Sequence, residues 1–227
     1  MQLYREGKLS GENSILRGKN LMGANWQRVI MPDVDLEGTG LRFADLRDAI
    51  FHYANLTKVD FRSANLVGAD LRFAKLIGAN FMQADLTRAN LNGVKASHLS
   101  LFMARAVRAD LQEADLHGVH LEQADLSNAH LRDTNFAKAL LEKANLSGAR
   151  MMNANLTGAD LFKAHFDKHT ILPDAQFVGF ADHHAVYDKY WSPTTDMGRY
   201  TDPNNPNFWE PEWVQKHAWV QKNYDED

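Results

Sequence analysis

The chain has 227 residues, 44% of them apolar, and a formal charge of −4 at neutral pH, so it is long enough for one domain with a substantial core. It contains no cysteine, which excludes a disulfide framework, a thiolate zinc site and a cysteine nucleophile. The opening Met1-Gln2-Leu3-Tyr4-Arg5-Glu6-Gly7-Lys8 has no apolar signal-peptide core and no stretch approaches a membrane span, so a cytoplasmic location without a membrane partner is expected.

Residues 1–15 precede any regular pattern; the run from Leu3 to Leu9 reads as a short helical turn ended by Gly7, expected to cap the patterned region. From Leu16 to Ile171 every fifth residue is apolar, 32 positions with 21 Leu and 5 Phe among them and none polar. Asp or Asn usually precedes this residue and Ala stands two places before it, as in Ala54-Asn55-Leu56, Ala64-Asn65-Leu66 and Ala69-Asp70-Leu71. Five residues advance an α-helix by about 500°, so the apolar positions would circle the cylinder and form no stripe. In a continuous strand, odd spacing would send them to alternate faces. A very short strand and then a corner satisfies both tests: Ala and Leu face inward, Asp or Asn faces outward, and the next two residues turn the chain.

The second residue after the apolar position is Gly at Gly68, Gly78, Gly93, Gly118, Gly148 and Gly158 and Asn at Asn128 and Asn153, which suits the positive φ of a type II turn. Phe43, Tyr53 and Phe73 hold the same place, and their bulk predicts a different turn type there. The first units are looser, with Trp26 and Met31 in the apolar position and Val34 and Thr39 in place of Ala. Ala96 and Ala106 stand where Leu is expected while Leu99 takes an Ala position, which reads as an exchange of volume inside one coil.

A fixed-period chain of strand and corner is a solenoid. The Ala-(Asp/Asn)-Leu-X-X unit resembles the pentapeptide-repeat family, and the resemblance implies an all-β right-handed quadrilateral β-helix with four units per coil. Spacing alone does not distinguish a square coil from a triangular one. On this reading residues 16–172 form about eight coils in a rod of roughly 38 Å, between an N-terminal cap at 1–15 and a tail at 173–227.

The phrase Thr170-Ile171-Leu172-Pro173-Asp174 reads as the exit from the rod, because Pro173 cannot donate to the sheet. In the tail, Pro211 is placed to open a helix running through about Asn223. Trp209, Trp213, Val220 and Tyr224 fall on one face of that helix, and with Trp219 they are candidates either to cap the last coil or to join two rods as a homodimer. Some members of the resembled family pair through their C-terminal ends.

No catalytic constellation is visible: the Asp residues between Ala and Leu recur at every level and are expected to point to water, whereas an active site needs a singular enclosed group. His117 with His120, and His183 with His184, lack a convincing third metal ligand, and no cofactor is expected. With residues twenty apart stacked, Phe43, Met82, Phe102, Met103 and Phe162 share one outer face. Met82, Phe102, Met103 and Phe162 are the candidate protein-contact patch. Lys58, Lys75, Lys95, His98, His117 and Lys138 share another face, diluted by Asp35 and Asp115, and read as a solvated surface.

The expected function is therefore a non-catalytic protein–protein interaction module or scaffold that presents the outside of a rigid rod to another protein. The resemblance supplies an alternative, since some pentapeptide-repeat proteins mimic duplex DNA and bind type II topoisomerases such as DNA gyrase. That requires a strongly negative surface. Residues 16–171 carry 19 Lys+Arg against 17 Asp+Glu, and the acidic excess lies in residues 172–227, with 4 against 10. The alternative therefore ranks second, and nucleic acid is not expected as a partner.

Overall fold

A computed structural model describes residues 15–174 together with Thr201, Pro203, Asn204 and Pro206. Each unit's Asp/Asn position, here called the rung residue, pairs in parallel with the residue twenty places on, from Asn20↔Gly40 to Asn145↔His165. Twenty residues are four units, so the coil has four sides and a triangle is excluded. The strands shrink to one bridged residue each, and coil succeeds coil at about 4.8 Å.

Hydrogen bonding explains why five residue types in fixed order build this coil. In the unit that begins at Asn80, the rung N–H reaches back to Val59 O (2.9 Å) and the inward Phe81 N–H reaches forward to Ser100 O (2.7 Å). At the second corner Gln83 N–H donates to Phe102 O (3.0 Å), and Ala84 N–H closes the turn onto Phe81 O (2.9 Å). That leaves the first corner, Met82, whose N–H is taken by the Asn80 side-chain oxygen at 2.9 Å. The same bond recurs at Thr87 to Asp85, Asn92 to Asn90 and Ser127 to Asp125. The outward Asp and Asn therefore do more than face water: they supply the acceptor that the backbone lattice does not.

At two rungs that cannot accept, the chain has another solution. Ile30 and Ile171 are rung residues, and the first corners after them are Pro32 and Pro173, which have no N–H to satisfy. This corrects two expectations at the end of the rod. The last bridge is Arg150↔Ile171, one residue out of register. Ile171 therefore faces outward, while Thr170 (0% exposed) takes the Ala place and Leu172 (1%) the inward one. Pro173 does not mark a departure either; it is a corner residue whose carbonyl accepts Asn153 N–H at 2.7 Å.

The expectation of a second turn type at Phe43, Tyr53 and Phe73 is also overturned. Every second-corner residue from Gly18 to Lys163 has positive φ, 21 of them are not glycine, and Phe43, Tyr53 and Phe73 lie at 57°, 60° and 57°. The lattice of carbonyls above and below imposes one turn geometry on whatever residue stands there, outweighing a local cost of about 1–3 kcal/mol for a non-glycine residue in this region. At Gly68, Gly93 and Gly148 glycine is then explained by space. A Cβ on Gly93 would sit 2.5 Å from the Phe73 ring, and one on Gly148 2.6 Å from the Asn128 Oδ1. The side chain one coil earlier leans over the bare Cα.

The interior is a stack of fully buried Leu, Phe and Ala, with Phe61 and Phe81 stacked at 4.6 Å between centroids. Leu99, Ala96 and Ala106 are all buried, so Leu99 points inward from its Ala position. Three threonines also occupy inward Ala positions; Thr39, Thr134 and Thr170 donate their hydroxyls to Leu16, Leu111 and Leu146 carbonyls of the preceding coil. A buried hydroxyl is tolerated because each one finds an acceptor.

The lattice makes the first corner sensitive to substitution in two opposite senses. Asn90→Ala strips the acceptor from Asn92 N–H and should cost about 1 kcal/mol, whereas Val107→Pro, after the non-accepting rung Arg105, should be neutral or stabilising. Urea midpoints measure both. Leu99→Ala should cost about 2–5 kcal/mol, read as a melting temperature several degrees lower; an unchanged one would refute inward packing.

Candidate protein-contact surfaces

Four columns of rung residues define the four faces. Face 1 runs Asp35, Asn55, Lys75, Lys95, Asp115, Asn135, Asn155, and face 2 runs Gly40, Asp60, Asn80, Ser100, His120, Leu140, Asp160. Face 3 runs Asp45, Asn65, Asp85, Arg105, Asp125, Asn145, His165, and face 4 runs Ile30, Ile50, Asp70, Asn90, Asp110, His130, Arg150.

The sequence-predicted patch lies on the corner after face 2 but does not hold together. Met82 and Phe102 are first-corner residues of successive coils, and Met103 stands beside Phe102 at the second corner, 44% exposed. Glu122 and Glu142 fill the first corner of the next two coils before Phe162, whose ring lies 5.0 Å from the Lys163 ammonium. Phe43 is separated from Met103 by Ser63 and Gln83, with the Arg42 guanidinium 5.5 Å from its ring. Only Met82, Phe102 and Met103 form a cluster.

A more compact apolar feature sits after face 4. Tyr53 and Phe73 stack with centroids 5.2 Å apart at 15°, and they remain 58% and 43% exposed. His52 meets Tyr53 edge-on at 5.7 Å, and Ile30 (50% exposed) and Ile50 lie on the adjoining rungs. Phe73 in turn lies over Gly93, so Tyr53, Phe73 and Gly93 form one ledge along the rod. The left-handed backbone under the rings is common to all corners and is no mark of function. The ledge's signal in the sequence was the twenty-residue spacing of positions 53, 73 and 93, which has meaning only once four units are known to make a coil.

The charged residues mostly serve the lattice. Arg47, Arg62 and Arg72 each clasp the carboxylate two places earlier, with the shorter contacts to Asp45, Asp60 and Asp70 at 2.6, 2.6 and 2.7 Å. The side-chain hydrogen bond from arginine holds these three carboxyls below their ordinary range, with desolvation opposing it. At Asp167 burial raises the carboxyl, but hydrogen bonds from Gly148, His169 and Thr170 leave it lowered. Among the described residues no three His, Asp or Glu side chains converge to hold a metal. His117 is a corner residue of face 1, while His120 is a rung residue of face 2, 3.3 Å from Glu122.

Trp209, Trp213, Trp219, Val220 and Tyr224 lie outside the described residues. Thr201, one of the described tail residues, accepts Gly158 N–H on its carbonyl at 2.6 Å, where in lower coils a carbonyl of the next coil does so. No helix among the described residues is long and apolar enough to cross a membrane.

Comparison with known protein families returns Pentapeptide repeats, in 8 copies, over residues 30–66, 64–98, 109–148 and 129–167. The chain belongs to the pentapeptide-repeat family. The four-sided register agrees with the right-handed quadrilateral β-helix of that family. Among solved structures the chain is similar to QnrB1, a plasmid-mediated fluoroquinolone resistance protein, at 20% identity and TM-score 0.51, covering 68% of this chain and 87% of that one. It is also similar to HetL, involved in heterocyst differentiation regulation in the cyanobacterium Nostoc sp. strain PCC 7120, at 25% identity and TM-score 0.36, covering 78% and 97%. A third is Rfr23 from the cyanobacterium Cyanothece 51142, at 36% identity and TM-score 0.29, covering 44% and 62%. No curated protein matches in sequence.

The lowered carboxyls predict a rod that loses stability in acid. A depressed folded-state pKa contributes stability above the unfolded value, near 3.8, that is lost as pH falls through the folded one. The urea midpoint should therefore hold from pH 7 to 5 and drop below about pH 4, and Arg47→Gln/Arg62→Gln/Arg72→Gln should flatten that drop.

Proposed function

We propose that this protein is a non-catalytic binding module, a rigid rod that engages another protein through its outer faces, with the Tyr53–Phe73 ledge on face 4 as the principal contact. The observation that carries the reading is that stacked pair, left 58% and 43% exposed beside Ile30. Large aromatics exposed together lose water favourably when covered, and tyrosine is over-represented at the energetic centres of protein interfaces. The lattice fixes their position, so little ordering entropy opposes binding. The smaller Met82, Phe102 and Met103 cluster offers a second contact on another face. The tail residues from Trp209 to Tyr224 would cap the last coil or join two rods, and the Thr201 contact with Gly158 supports capping.

A second reading is binding to a type II topoisomerase as a DNA mimic. Its support is the likeness of fold to a fluoroquinolone resistance protein. Charge weighs against it: the repeat region is formally slightly positive, and Asp45, Asp60 and Asp70 are engaged by arginine.

Cross-linking of tagged rods in lysate of the native organism, wild type against Tyr53→Ser/Phe73→Ser, tests the first reading. A protein captured by wild type should be reduced at least about tenfold by the double variant, a loss of about 1.4 kcal/mol; equal capture would overturn the ledge as the contact. A gyrase supercoiling assay tests the second. Inhibition or drug protection at sub-micromolar protein would reverse the ranking.

A further inference from the structure

Around the corner from the ledge onto face 1, exposed apolar and cationic side chains alternate at two-residue spacing. Phe73 ends the stacked pair, Lys75 is the next rung, and Ile77 (42% exposed) opens the far corner of the face. One coil on, the first two places hold Gly93 and Lys95, so the Phe73 ring lies over a bare Cα with a lysine beside it. Lys58 joins them from the coil before, its Cγ 3.5 Å from where a Gly78 Cβ would stand.

These lysines carry charge that the rod does not neutralise. Lys75 and Lys95 bridge each other on adjacent rungs, and like charges opposite each other on neighbouring strands are destabilising. Lys58, Lys75 and Lys95 form no ion pair among the described residues, whereas the rung Arg105 on face 3 meets Asp85 at 3.7 Å. The two rung carboxylates of face 1 are already held, Asp35 by Arg17 and Asn55 at 3.1 Å each and Asp115 by Asn135 at 2.9 Å. Acidic residues also bound the site along the rod, Asp33 and Glu113 in the ledge column and Asp35 and Asp115 on the rungs. A long polyanion would run into these carboxylates, and a short acidic group would not.

We propose that the ledge and the lysines beside it form one site for an extended acidic segment of a partner protein, in which an aromatic side chain covers Tyr53 and Phe73 and a carboxylate two residues away lies between Lys75 and Lys95. Alternate residues of an extended chain face the same way about 6.8 Å apart, which matches ledge and lysine positions two residues apart on the rod. A carboxylate there replaces a like-charge contact with two charge-assisted hydrogen bonds. An aromatic side chain on the ledge sheds water from rings that the lattice already holds in place. The inference deepens the proposed function and rests on the ledge being a contact.

The probe is the peptide Trp-Gly-Glu-Gly-Glu, blocked at both ends and titrated into the ¹⁵N-labelled full chain at low salt. It should bind with a Kd of about 1 mM and shift the amide resonances of Phe73, Lys75, Gly93 and Lys95 together. Raising salt to about 0.5 M should weaken it at least about fivefold. Trp-Gly-Gln-Gly-Gln and Ala-Gly-Glu-Gly-Glu should each bind at least about tenfold more weakly. Lys75→Asn/Lys95→Asn should bring the Glu and Gln peptides to equal affinity without loss of melting temperature, because asparagine is already a rung residue of this face at Asn55, Asn135 and Asn155. Unmoved resonances, equal affinity of the Glu and Gln peptides for wild type, or tighter binding of a thymidine pentanucleotide would overturn the proposal. The two readings fail separately. If Tyr53→Ser/Phe73→Ser loses the captured partner but wild type does not discriminate the peptides, only the acidic segment is wrong; if that double variant keeps both partner and peptide, the ledge itself is wrong.

Discussion

Everything in this rod depends on satisfying backbone N–H groups at a corner that repeats every five residues. Four of the five find carbonyls: rung, inward and second-corner residues across the coils, and the small inward residue within its own turn. The fifth, at the first corner, is left to a side chain two residues earlier, and Asp or Asn has the reach to supply it. A carbonyl lattice this dense also dictates φ. Tyrosine and phenylalanine are held in a left-handed conformation that they would avoid in an isolated turn, because leaving it would break bonds to the coils on both sides.

That division of labour leaves the outer faces with two kinds of position. Rung residues are largely committed to the lattice, so a non-accepting residue there is a concession; Ile30 is matched by Pro32, but Ile50, Lys75, Lys95, Arg105 and Leu140 have no corner proline after them. Corner side chains have no such backbone duty, though Arg47, Arg62 and Arg72 bond the rung carboxylates, and they are limited by the residue one coil away. Phe73 can lie flat because Gly93 offers no Cβ. Surface chemistry is thus written in twenty-residue columns, and a substitution at one corner is felt by its neighbour above or below.

The inward side obeys a simpler rule of volume and polarity. Leu99 is buried from an Ala position, as are the small Ala96 and Ala106 from Leu positions, and Thr39, Thr134 and Thr170 are accepted because the Leu carbonyl of the coil below lies within hydrogen-bond reach. The extra residue at the end of the rod is absorbed the same way. Asp167 Oδ1 takes Gly148 N–H at 2.8 Å, in place of the carbonyl that serves this role in other coils, while Thr170 restores the inward register one residue late.

The five-residue period, with no polar residue among its apolar positions, determined by itself that the chain is neither helical nor a plain sheet, and it named nearly every buried side chain from Leu36 to Phe166. It did so because burial in a solenoid is a local property, set by which way one residue points. Four matters required the tertiary structure: the four-sided coil, the single turn type, the shift that brings Leu172 inward in place of Ile171, and the meeting of Tyr53 with Phe73. Each depends on what lies twenty residues away, and a side chain's neighbours across a coil are fixed by the closure of the coil, which no stretch of five residues contains.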